Sequence, residues 1–258
     1  MHAVVDTSPV SIVKGSPSAP FLFVCEHASP HMPEMFDNLG LDEAAAASHI
    51  AWDPGAFEVN ERLSAHFRAT AVCGTTSRLI YDLNRSPDAA DAIPGRSEVF
   101  DVPGNQNLTS EQRSHRVETY YQPFQQALQR EIAAYASPPA LVTLHSFTPT
   151  YAGRQRQVEF GILHDADSRL ADAMLSIAPD HTDLVTQRNQ PYGPADGVTH
   201  TLIEHGLKNG LLNVMIEVRN DHLQSKQQCD HISSVLASWL EEALALSKSA
   251  PVPQEAKA

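Results

Sequence analysis

Two histidines beside apolar segments are the residues of this chain best suited to metal chemistry. His27 follows the apolar residues 21–25, and His145 follows the apolar residues 140–144. A single histidine in such a place is usually a hydrogen-bonded or capping residue, but two of them at the ends of two predicted strands favour a shared metal. Imidazole nitrogen suits Zn²⁺, and a catalytic zinc typically keeps three protein ligands and one water. We therefore predict that His27 and His145 bind one divalent cation, with zinc expected and manganese or iron as alternatives.

The third ligand is expected to be acidic, and two residues compete for this role. Asp53 precedes Pro54 at the start of a predicted helix, where an aspartate is also a common N-cap. Glu26 is adjacent to His27, and adjacent residues of a strand point to opposite faces. Glu26 and His27 can both reach one metal only if the strand has already ended. We prefer Asp53 as the third ligand and keep Glu26 as the alternative.

Glu217, at the end of the strongly apolar residues 211–216, is the predicted general base. A carboxylate in such a segment is costly to bury unless it is paired or functional. An ion pair with Arg219 would be a purely structural explanation. We favour the functional one, in which Glu217 takes a proton from metal-activated water and has a pKa tuned by burial and by the metal.

Three arginines are candidates for binding a carboxylate of a substrate. Arg85 follows Asn84 at the end of another apolar segment, and a guanidinium group fits a carboxylate through two parallel hydrogen bonds. Asn84 adds a neutral donor beside it. Arg78 and Arg219 are further candidates, although most arginines are simply solvated at the surface. We predict that Asn84 and Arg85 form the main carboxylate clamp and that Arg78 or Arg219 binds a second carboxylate.

The composition limits the class of protein. The 258 residues are 42% hydrophobic, which is enough for one sizeable core. The formal net charge of -13 argues against nucleic acid and anionic membranes as partners, so an anionic substrate needs local positive charge. The three cysteines form no disulfide framework or CxxC pair, which favours a reducing compartment. Because the sequence shows neither a signal peptide nor a membrane-spanning segment, we expect a cytoplasmic protein.

Strand and helix patterns alternate along the chain. Strands are predicted at 21–25, 69–73, 78–83, 140–144, 158–163, 182–186 and 211–218. Helices are predicted at 54–67, 109–136, 167–177, 197–208 and 222–246. Thr109 and Gln112 resemble a capping box at the start of the second helix, which is expected to break before Pro123. Residues 86–108, rich in Pro, Gly, Asp and Asn, are predicted to form a long functional loop.

This alternation predicts a three-layer α/β/α fold with a central mixed, mainly parallel sheet. A single domain is expected over 19–247, between a flexible N-terminal lead over 1–18 and a flexible tail over 248–258. In such sheets, ligands bind beyond the carboxyl ends of the strands. Because His27, His145 and Glu217 follow or end predicted strands, we expect them to converge at that edge of the sheet.

Five short motifs lie in order between residues 20 and 245. They are Val24-Cys25-Glu26-His27-Ala28-Ser29, His49-Ile50-Ala51-Trp52-Asp53-Pro54-Gly55-Ala56, Ser77-Arg78-Leu79-Ile80-Tyr81-Asp82-Leu83-Asn84-Arg85, Leu144-His145-Ser146-Phe147-Thr148-Pro149 and Ile216-Glu217-Val218-Arg219-Asn220-Asp221. Each motif is short, but their order and spacing together are fairly specific. With these motifs the chain resembles the N-formylglutamate amidohydrolase family.

The resemblance implies a fold similar to those of zinc carboxypeptidases and aspartoacylases, in which helices flank a mixed sheet. It also implies roles for five residues, namely the metal ligands His27 and His145, the clamp residues Asn84 and Arg85, and the base Glu217. One departure concerns the acidic ligand. The carboxypeptidases have a glutamate three residues after the first histidine, and this chain has Pro30 there. The choice between Asp53 and Glu26 therefore stays open at this point.

The activity expected from the resemblance is that of a zinc-dependent amidohydrolase, which cleaves N-formyl-L-glutamate to formate and L-glutamate. Such a reaction belongs to amino acid catabolism, and the partner is a small carboxylated N-acyl amino acid. A zinc carboxypeptidase or another N-acyl amino acid hydrolase would use the same clamp. A non-catalytic binding protein with a relict fold is the alternative from a different class. No GxSxG, P-loop or GxGxxG motif in the sequence supports a different chemistry.

Overall fold

The computed structural model of the protein describes residues 8–249, and strands in this range form one large sheet and two small hairpins. The strands in chain order are β1 (Val10–Val13), β2 (Phe21–Cys25), β3 (Ala71–Gly74), β4 (Arg96–Ser97), β5 (Phe100–Asp101), β6 (Ala140–Phe147), β7 (Thr150–Tyr151), β8 (Arg154–Gln155), β9 (Phe160–Leu163), β10 (Thr186–Arg188) and β11 (Asn213–Arg219). β4 pairs with β5 and β7 with β8, whereas the other strands form the sheet in the order β1-β3-β2-β6-β11-β9-β10.

Helices connect most strands of the large sheet. The α-helices of the described range are α1 (Glu43–Ala46), α2 (Ala56–Phe67), α3 (Ser110–Arg116), α4 (Gln122–Ala133), α5 (Arg169–His181) and α6 (Lys226–Ser249). A π-helical turn, Val117–Tyr121, joins α3 to α4, and a second one, Leu202–Gly206, precedes β11. Between residues 8 and 249 there is no helix whose length and apolar character would let it span a bilayer.

The centre of the sheet is parallel, as predicted. β3, β2, β6 and β11 run in the same direction, whereas β1 at one edge and the pair β9 and β10 at the other edge run against them. The carboxyl ends of the four parallel strands, at Gly74, Cys25, Phe147 and Arg219, therefore lie along one side of the sheet. The segments that follow these strands are brought together there.

The sheet is covered on both faces, which explains why its strands are continuous apolar runs. On β2, Phe21 and Phe23 belong to a core that includes α2, α5 and α6. The intervening Leu22 and Val24 belong to a second core, which includes Phe124 of α4. Alternate residues of one strand thus pack against helices on opposite faces of the sheet. The three-layer α/β/α architecture predicted from the sequence is confirmed.

The strand predicted at 78–83 is wrong, because this segment forms consecutive turns. Ile80 donates a backbone hydrogen bond to Ser77, and Asp82 donates one to Ala92 in the long loop. The apolar side chains Leu79, Ile80 and Leu83 pack into the second core beside α4. An apolar run is compatible with either arrangement, so periodicity alone did not distinguish a strand from turns.

His145 was predicted to follow a strand that ends at Leu144. In the structure it lies within β6, which continues to Phe147.

The predicted second helix is interrupted but does not break. The capping box of Thr109 and Gln112 is present at the start of α3. Before Pro123 the chain makes the π-helical turn Val117–Tyr121 and then continues as α4. Because the wider turn changes the hydrogen-bond pattern, it accommodates a proline that has no N–H to donate. The helix predicted at 197–208 is likewise reduced to the short turns Leu202–Gly206 and Leu207–Asn209.

Some residues at both ends of the chain that were predicted to be flexible form regular secondary structure. Val10–Val13, part of the predicted lead over 1–18, forms the edge strand β1 and pairs with β3. At the other end, α6 extends to Ser249, beyond the predicted domain limit at 247. Residues 1–7 and 250–258, which include most of the predicted tail, lie outside the described residues.

Candidate active site

Two imidazoles and one carboxylate meet at the carboxyl edge of the sheet. Oδ2 of Asp53 lies 3.2 Å from Nδ1 of His27 and 2.9 Å from Nδ1 of His145. One ligand atom from each of these residues lies within 4.8 Å of the others, and all three residues are buried. The structure therefore brings together the three residues that the sequence predicted as metal ligands, from the end of β2, the loop before α2 and β6.

A second carboxylate and an arginine surround this cluster. Oδ1 of Asp82 lies 2.7 Å from Nε2 of His27, the ring nitrogen that faces away from Asp53. The Arg78 guanidinium donates to Asp53 at 3.3 Å and to Asp82 at 2.8 Å. When Nε2 of His27 donates to Asp82, its Nδ1 keeps a lone pair that can bind a metal.

The backbone around Asp53 holds its carboxylate beside the histidines. The amide of Asp53 donates to the carbonyl of His27 at 3.0 Å, which ties the loop to the end of β2. Two residues later, Gly55 has a φ of +81°, and a Cβ at this position would lie 2.4 Å from Cβ of Leu223. Glycine is required at this point because the backbone is left-handed and the chain passes closely under the β11–α6 connection.

Glu217 lies on β11 directly beside His145 of the parallel strand β6. On its other side it faces Gly161 of β9, where a Cβ would lie 3.1 Å from Cβ of Glu217. Glu217 is only 5% exposed, and its Oε2 has no hydrogen-bond partner among the described residues. Burial raises the pKa of Glu217 to about 7, although the imidazole of His145 opposes the shift.

The charged groups of the cluster shift one another's pKa values. Burial by itself lowers the pKa of His145, but the Glu26 and Asp53 carboxylates outweigh it and raise that pKa well above its usual value. Burial and Arg78 likewise oppose protonation of His27, yet Asp82 and Asp53 raise its pKa. Although burial disfavours its charged form, the pKa of Asp53 is lowered by the histidines. The carboxylates of the pocket thus favour positive charge at the two imidazoles.

This donor set fits a divalent cation. Two imidazole nitrogens and one carboxylate oxygen are ligands that Zn²⁺ accepts, and a catalytic site keeps a further position for water or substrate. A divalent cation bound by His27, Asp53 and His145 would supply the positive charge that the surrounding carboxylates favour. Burial of all three residues also excludes the competing solvent that weakens charge interactions at a surface.

A cavity of about 350 Å³ opens beside the cluster. Its wall includes the three candidate ligands, Glu217, and both Arg78 and Arg85. Arg85 donates from Nε to the exposed Asp91 at 2.8 Å and from Nη1 to the carbonyl of Gly197 at 3.1 Å. The cavity thus places two guanidinium groups within one space that also contains the candidate metal ligands and the predicted base.

Asn84 lines the same cavity, but its amide is already hydrogen bonded to the backbone. Its Nδ2 donates to the carbonyl of Val198, and its Oδ1 accepts from the amide of Thr201 at 2.9 Å. In this arrangement the side chain joins the turn after Asp82 to the segment before β11. Its predicted role in binding the substrate carboxylate stays a prediction, whereas its role in joining two loops is observed.

Arg219, the other predicted substrate residue, points to a different group of charges. It donates to Asp221 at 2.8 Å and to Glu159 at 2.9 Å. It is not among the described residues that line the cavity. The structure therefore does not bring Arg219 together with the candidate ligands, and it does not form the ion pair with Glu217 that was the structural alternative.

Sequence reasoning missed a contact that joins three segments at the mouth of the cavity. Glu98, in the predicted long loop, lies 2.7 Å from Nε2 of His49 and accepts the backbone N–H of Ala152 at 2.8 Å. Ala152 is at the tip of the β7–β8 hairpin, and Tyr151 beside it lines the cavity. The signal that pointed here was the composition of residues 86–108, which predicted a functional loop without identifying a residue.

The fold and this site define an α/β protein with a candidate metal centre at the carboxyl edge of its sheet. The family model of N-formylglutamate amidohydrolase matches residues 19–223. The chain is 45% identical to the gene product Atu2144 from Agrobacterium tumefaciens, with a TM-score of 0.91 and coverage of 95% of this chain and 98% of that one. A comparison with curated proteins gave no match.

This chain belongs to the N-formylglutamate amidohydrolase family. A second solved structure, N-formylglutamate amidohydrolase from Ralstonia eutropha JMP134, has a TM-score of 0.61 and 16% identity over 94% of this chain and 98% of that one. At this identity the likeness shows a shared fold alone. Membership of this family supports the conclusion that the protein is an amidohydrolase acting on N-acyl amino acids.

Proposed function

We propose that this protein is a zinc-dependent amidohydrolase that cleaves N-formyl-L-glutamate to formate and L-glutamate. His27, Asp53 and His145 would hold the cation. When bound, a divalent cation supplies Lewis acidity, which polarises an amide carbonyl and makes a nearby water more acidic. The remaining steps fall to side chains of this chain that lie around the cavity.

The observation that supports this proposal most directly is the unpaired carboxylate of Glu217 beside the candidate ligands. In the proposed reaction, Glu217 accepts a proton from the attacking water while the water oxygen bonds to the formyl carbon. Glu217 then donates that proton to the amide nitrogen as the carbon–nitrogen bond breaks. A pKa of about 7 suits a group that must accept and release a proton near neutral pH.

The two guanidinium groups of the cavity are proposed to bind the carboxylates of the glutamyl moiety. Arg85 is the better placed, because its ionic partner Asp91 is 58% exposed. An ion pair with an exposed carboxylate contributes little, so a substrate carboxylate can replace Asp91 at low cost. Arg78 is already shared between Asp53 and Asp82, and it would contribute mainly through its charge. In a chain with a net charge of -13, these two cations provide the local attraction for an anionic substrate.

The test is hydrolysis of a panel of amides by the zinc-loaded protein. N-formyl-L-glutamate, N-formyl-L-aspartate, larger N-acyl-glutamates and short peptides are compared by measuring the released amine. We expect N-formyl-L-glutamate to have the highest kcat/KM and chelation to abolish turnover. Preference for a peptide would indicate a carboxypeptidase, and preference for a larger acyl group another N-acyl amino acid hydrolase. Zinc-loaded protein that hydrolyses none of the panel would refute the proposed activity.

The role of Glu217 is tested by Glu217→Gln. We expect kcat to fall by about 10²–10⁴-fold, the usual contribution of a general base, while zinc remains bound. Glu242→Gln serves as the control, because Glu242 is an exposed acid of α6 that pairs with His181. Normal turnover by Glu217→Gln would remove Glu217 from the proposed mechanism.

A further inference from the structure

Glu26 is a buried carboxylate to which the proposed reaction gives no role. It directly follows β2, and its side chain is fully buried. Burying a carboxylate without a partner is costly, so such a group is expected to face a donor. From the sequence it was the alternative metal ligand, but the candidate donor cluster contains Asp53 in its place.

The group that Glu26 faces is the imidazole of His145. Oε2 of Glu26 lies 3.1 Å from Nε2 of His145, an ion-pair distance, and neither of these buried atoms makes a well-formed hydrogen bond among the described residues. The other ring nitrogen, Nδ1, lies 2.9 Å from Asp53. The ring of His145 therefore stands between two carboxylates, with one at each nitrogen.

His27 has the same arrangement, with Asp53 at its Nδ1 and Asp82 at its Nε2. In both rings Nδ1 faces the candidate cation site, and Nε2 faces a carboxylate on the far side. A neutral imidazole carries a single N–H, so the nitrogen that donates leaves the other nitrogen with a free lone pair. The outer carboxylate can therefore select which nitrogen binds a cation.

We propose that Glu26 is a positioning residue for His145. Its carboxylate, at ion-pair distance from Nε2, favours the proton on that nitrogen and so holds the ring in the tautomer whose Nδ1 lone pair faces Asp53 and the cation site. The inference rests on the metal-dependent function proposed above and extends it to a residue that touches neither the cation nor the substrate. Outer carboxylates of this kind orient a ligating ring and raise its basicity, and losing one typically weakens metal binding about 10–100-fold.

The test measures metal affinity without turnover, by titrating metal-free protein with Co²⁺ in competition with a chelator. We expect Glu26→Ala to weaken Co²⁺ binding about 10–100-fold. Glu26→Gln loses the charge but keeps an oxygen that can face Nε2–H, so its loss of affinity should be smaller and the visible absorption spectrum of bound Co²⁺ should stay unchanged. Glu131→Gln is the matched control, because Glu131 is a buried acid of α4 that pairs with Lys14, and it should bind Co²⁺ with the affinity of the wild type.

Wild-type Co²⁺ affinity in Glu26→Ala would overturn the proposal. An altered Co²⁺ spectrum in Glu26→Gln would also overturn it, because Glu26 would then be a direct ligand. If circular dichroism shows that Glu26→Ala does not fold, the comparison of Glu26→Gln with wild type decides. We then expect a several-fold loss of Co²⁺ affinity, and an unchanged affinity would contradict the proposal. Protein that binds Co²⁺ in a Glu26-dependent way but hydrolyses no amide of the panel would keep this inference and refute only the proposed activity.

Discussion

The residue with the most unusual environment in the site is Glu217, a buried carboxyl group beside the histidine of a neighbouring strand. Its Oε2 has no hydrogen-bond partner among the described residues, and burial raises its pKa from 4.5 to about 7. The unfolded chain ionises such a group near its ordinary value, whereas the folded protein keeps it protonated up to a higher pH. The group therefore links protein stability to pH in a direction opposite to that of a salt-bridged carboxylate.

We predict that Glu217→Gln stabilises the metal-free protein at alkaline pH relative to wild type. Between pH 4.5 and about 7 the folded wild type binds more protons at this site than the unfolded chain, so its stability falls as pH rises through this window. A shift of this size corresponds to roughly 3 kcal/mol, since one pKa unit is about 1.4 kcal/mol. The glutamine variant lacks this loss, and denaturant unfolding of chelator-treated protein at several pH values from 4.5 to 8 measures it.

The decisive quantity is the difference in unfolding free energy between variant and wild type, because other titrating groups are common to both. This difference should grow between pH 4.5 and 7 and level off above. Glu242→Gln, an exposed acid of α6, should show a small difference with little pH dependence. A constant difference for Glu217→Gln across this range would mean that Glu217 ionises normally in the folded protein.

The chemistry of single residues was easier to predict from the sequence than their partners. His27 and His145 were selected by residue type and by position near strand ends, and Asp53 as an acid at a predicted helix start. The structure brings these three residues together. Arg219 was selected by residue type as a cation for a substrate carboxylate, yet it pairs with Glu159, which lies 60 residues earlier in the chain. Residue type indicates what a side chain can bind, but an ion pair across the fold depends on tertiary contacts that spacing does not show.

At the level of secondary structure, apolar runs predicted the central strands well and the 78–83 segment badly. The runs of β2, β6 and β11 are buried by layers on both faces, so strand pairing and burial agree. Residues 78–83 are also largely apolar, but their apolar side chains fill one layer. Their backbone makes turns, in which Ile80 and Asp82 donate to the carbonyls of Ser77 and Ala92. Local sequence determined the burial of this segment, and tertiary packing determined its backbone conformation.

Asn84 shows how such a turn segment is held in place, and we predict that its main contribution is to stability. Asn84→Ala removes two buried hydrogen bonds and leaves the carbonyl of Val198 and the amide of Thr201 without partners. Unsatisfied buried groups cost about 1–3 kcal/mol each, so for two groups we expect a loss of about 2–6 kcal/mol in unfolding free energy. Equilibrium unfolding in urea, with the zinc content of both proteins matched, measures this loss.

Asn209→Ala is the control for this substitution, because Asn209 is exposed and makes a single hydrogen bond to the carbonyl of His205. It should change the unfolding free energy by less than about 0.5 kcal/mol. If Asn84→Ala is as stable as Asn209→Ala but has a strongly raised KM, Asn84 acts on the substrate as the sequence predicted, and its backbone contacts are of minor importance.

For the molecule as a whole, the parallel centre of the sheet is what assembles the site. The residues that meet there come from segments as far apart as His27 and Glu217, and strand direction alone places those segments on one edge. Alternation of strands and helices predicted this outcome, because parallel strands need crossovers that return the chain to the same side. Strands were predicted at 158–163 and 182–186, near β9 and β10, but their direction was not, since periodicity gives no information about strand direction. The antiparallel edge strand β1 lies in the segment predicted to be a flexible lead.

Because the candidate ligands join three distant segments, a bound cation should stabilise the whole fold. A ligand that binds only the folded state at 100 times its Kd contributes about 2.7 kcal/mol. For a protein of this size this raises the melting temperature by about 5–10 °C. We therefore expect Zn²⁺ to raise the melting temperature of chelator-treated protein in scanning calorimetry, and Asp53→Asn to reduce the shift.

Ca²⁺ is the matched control, because it prefers oxygen ligands over imidazole and should give no shift in melting temperature. Equal stabilisation by Zn²⁺ in wild type and in Asp53→Asn would show that the cation binds elsewhere, and Asp53 would then lose its assignment as the acidic ligand.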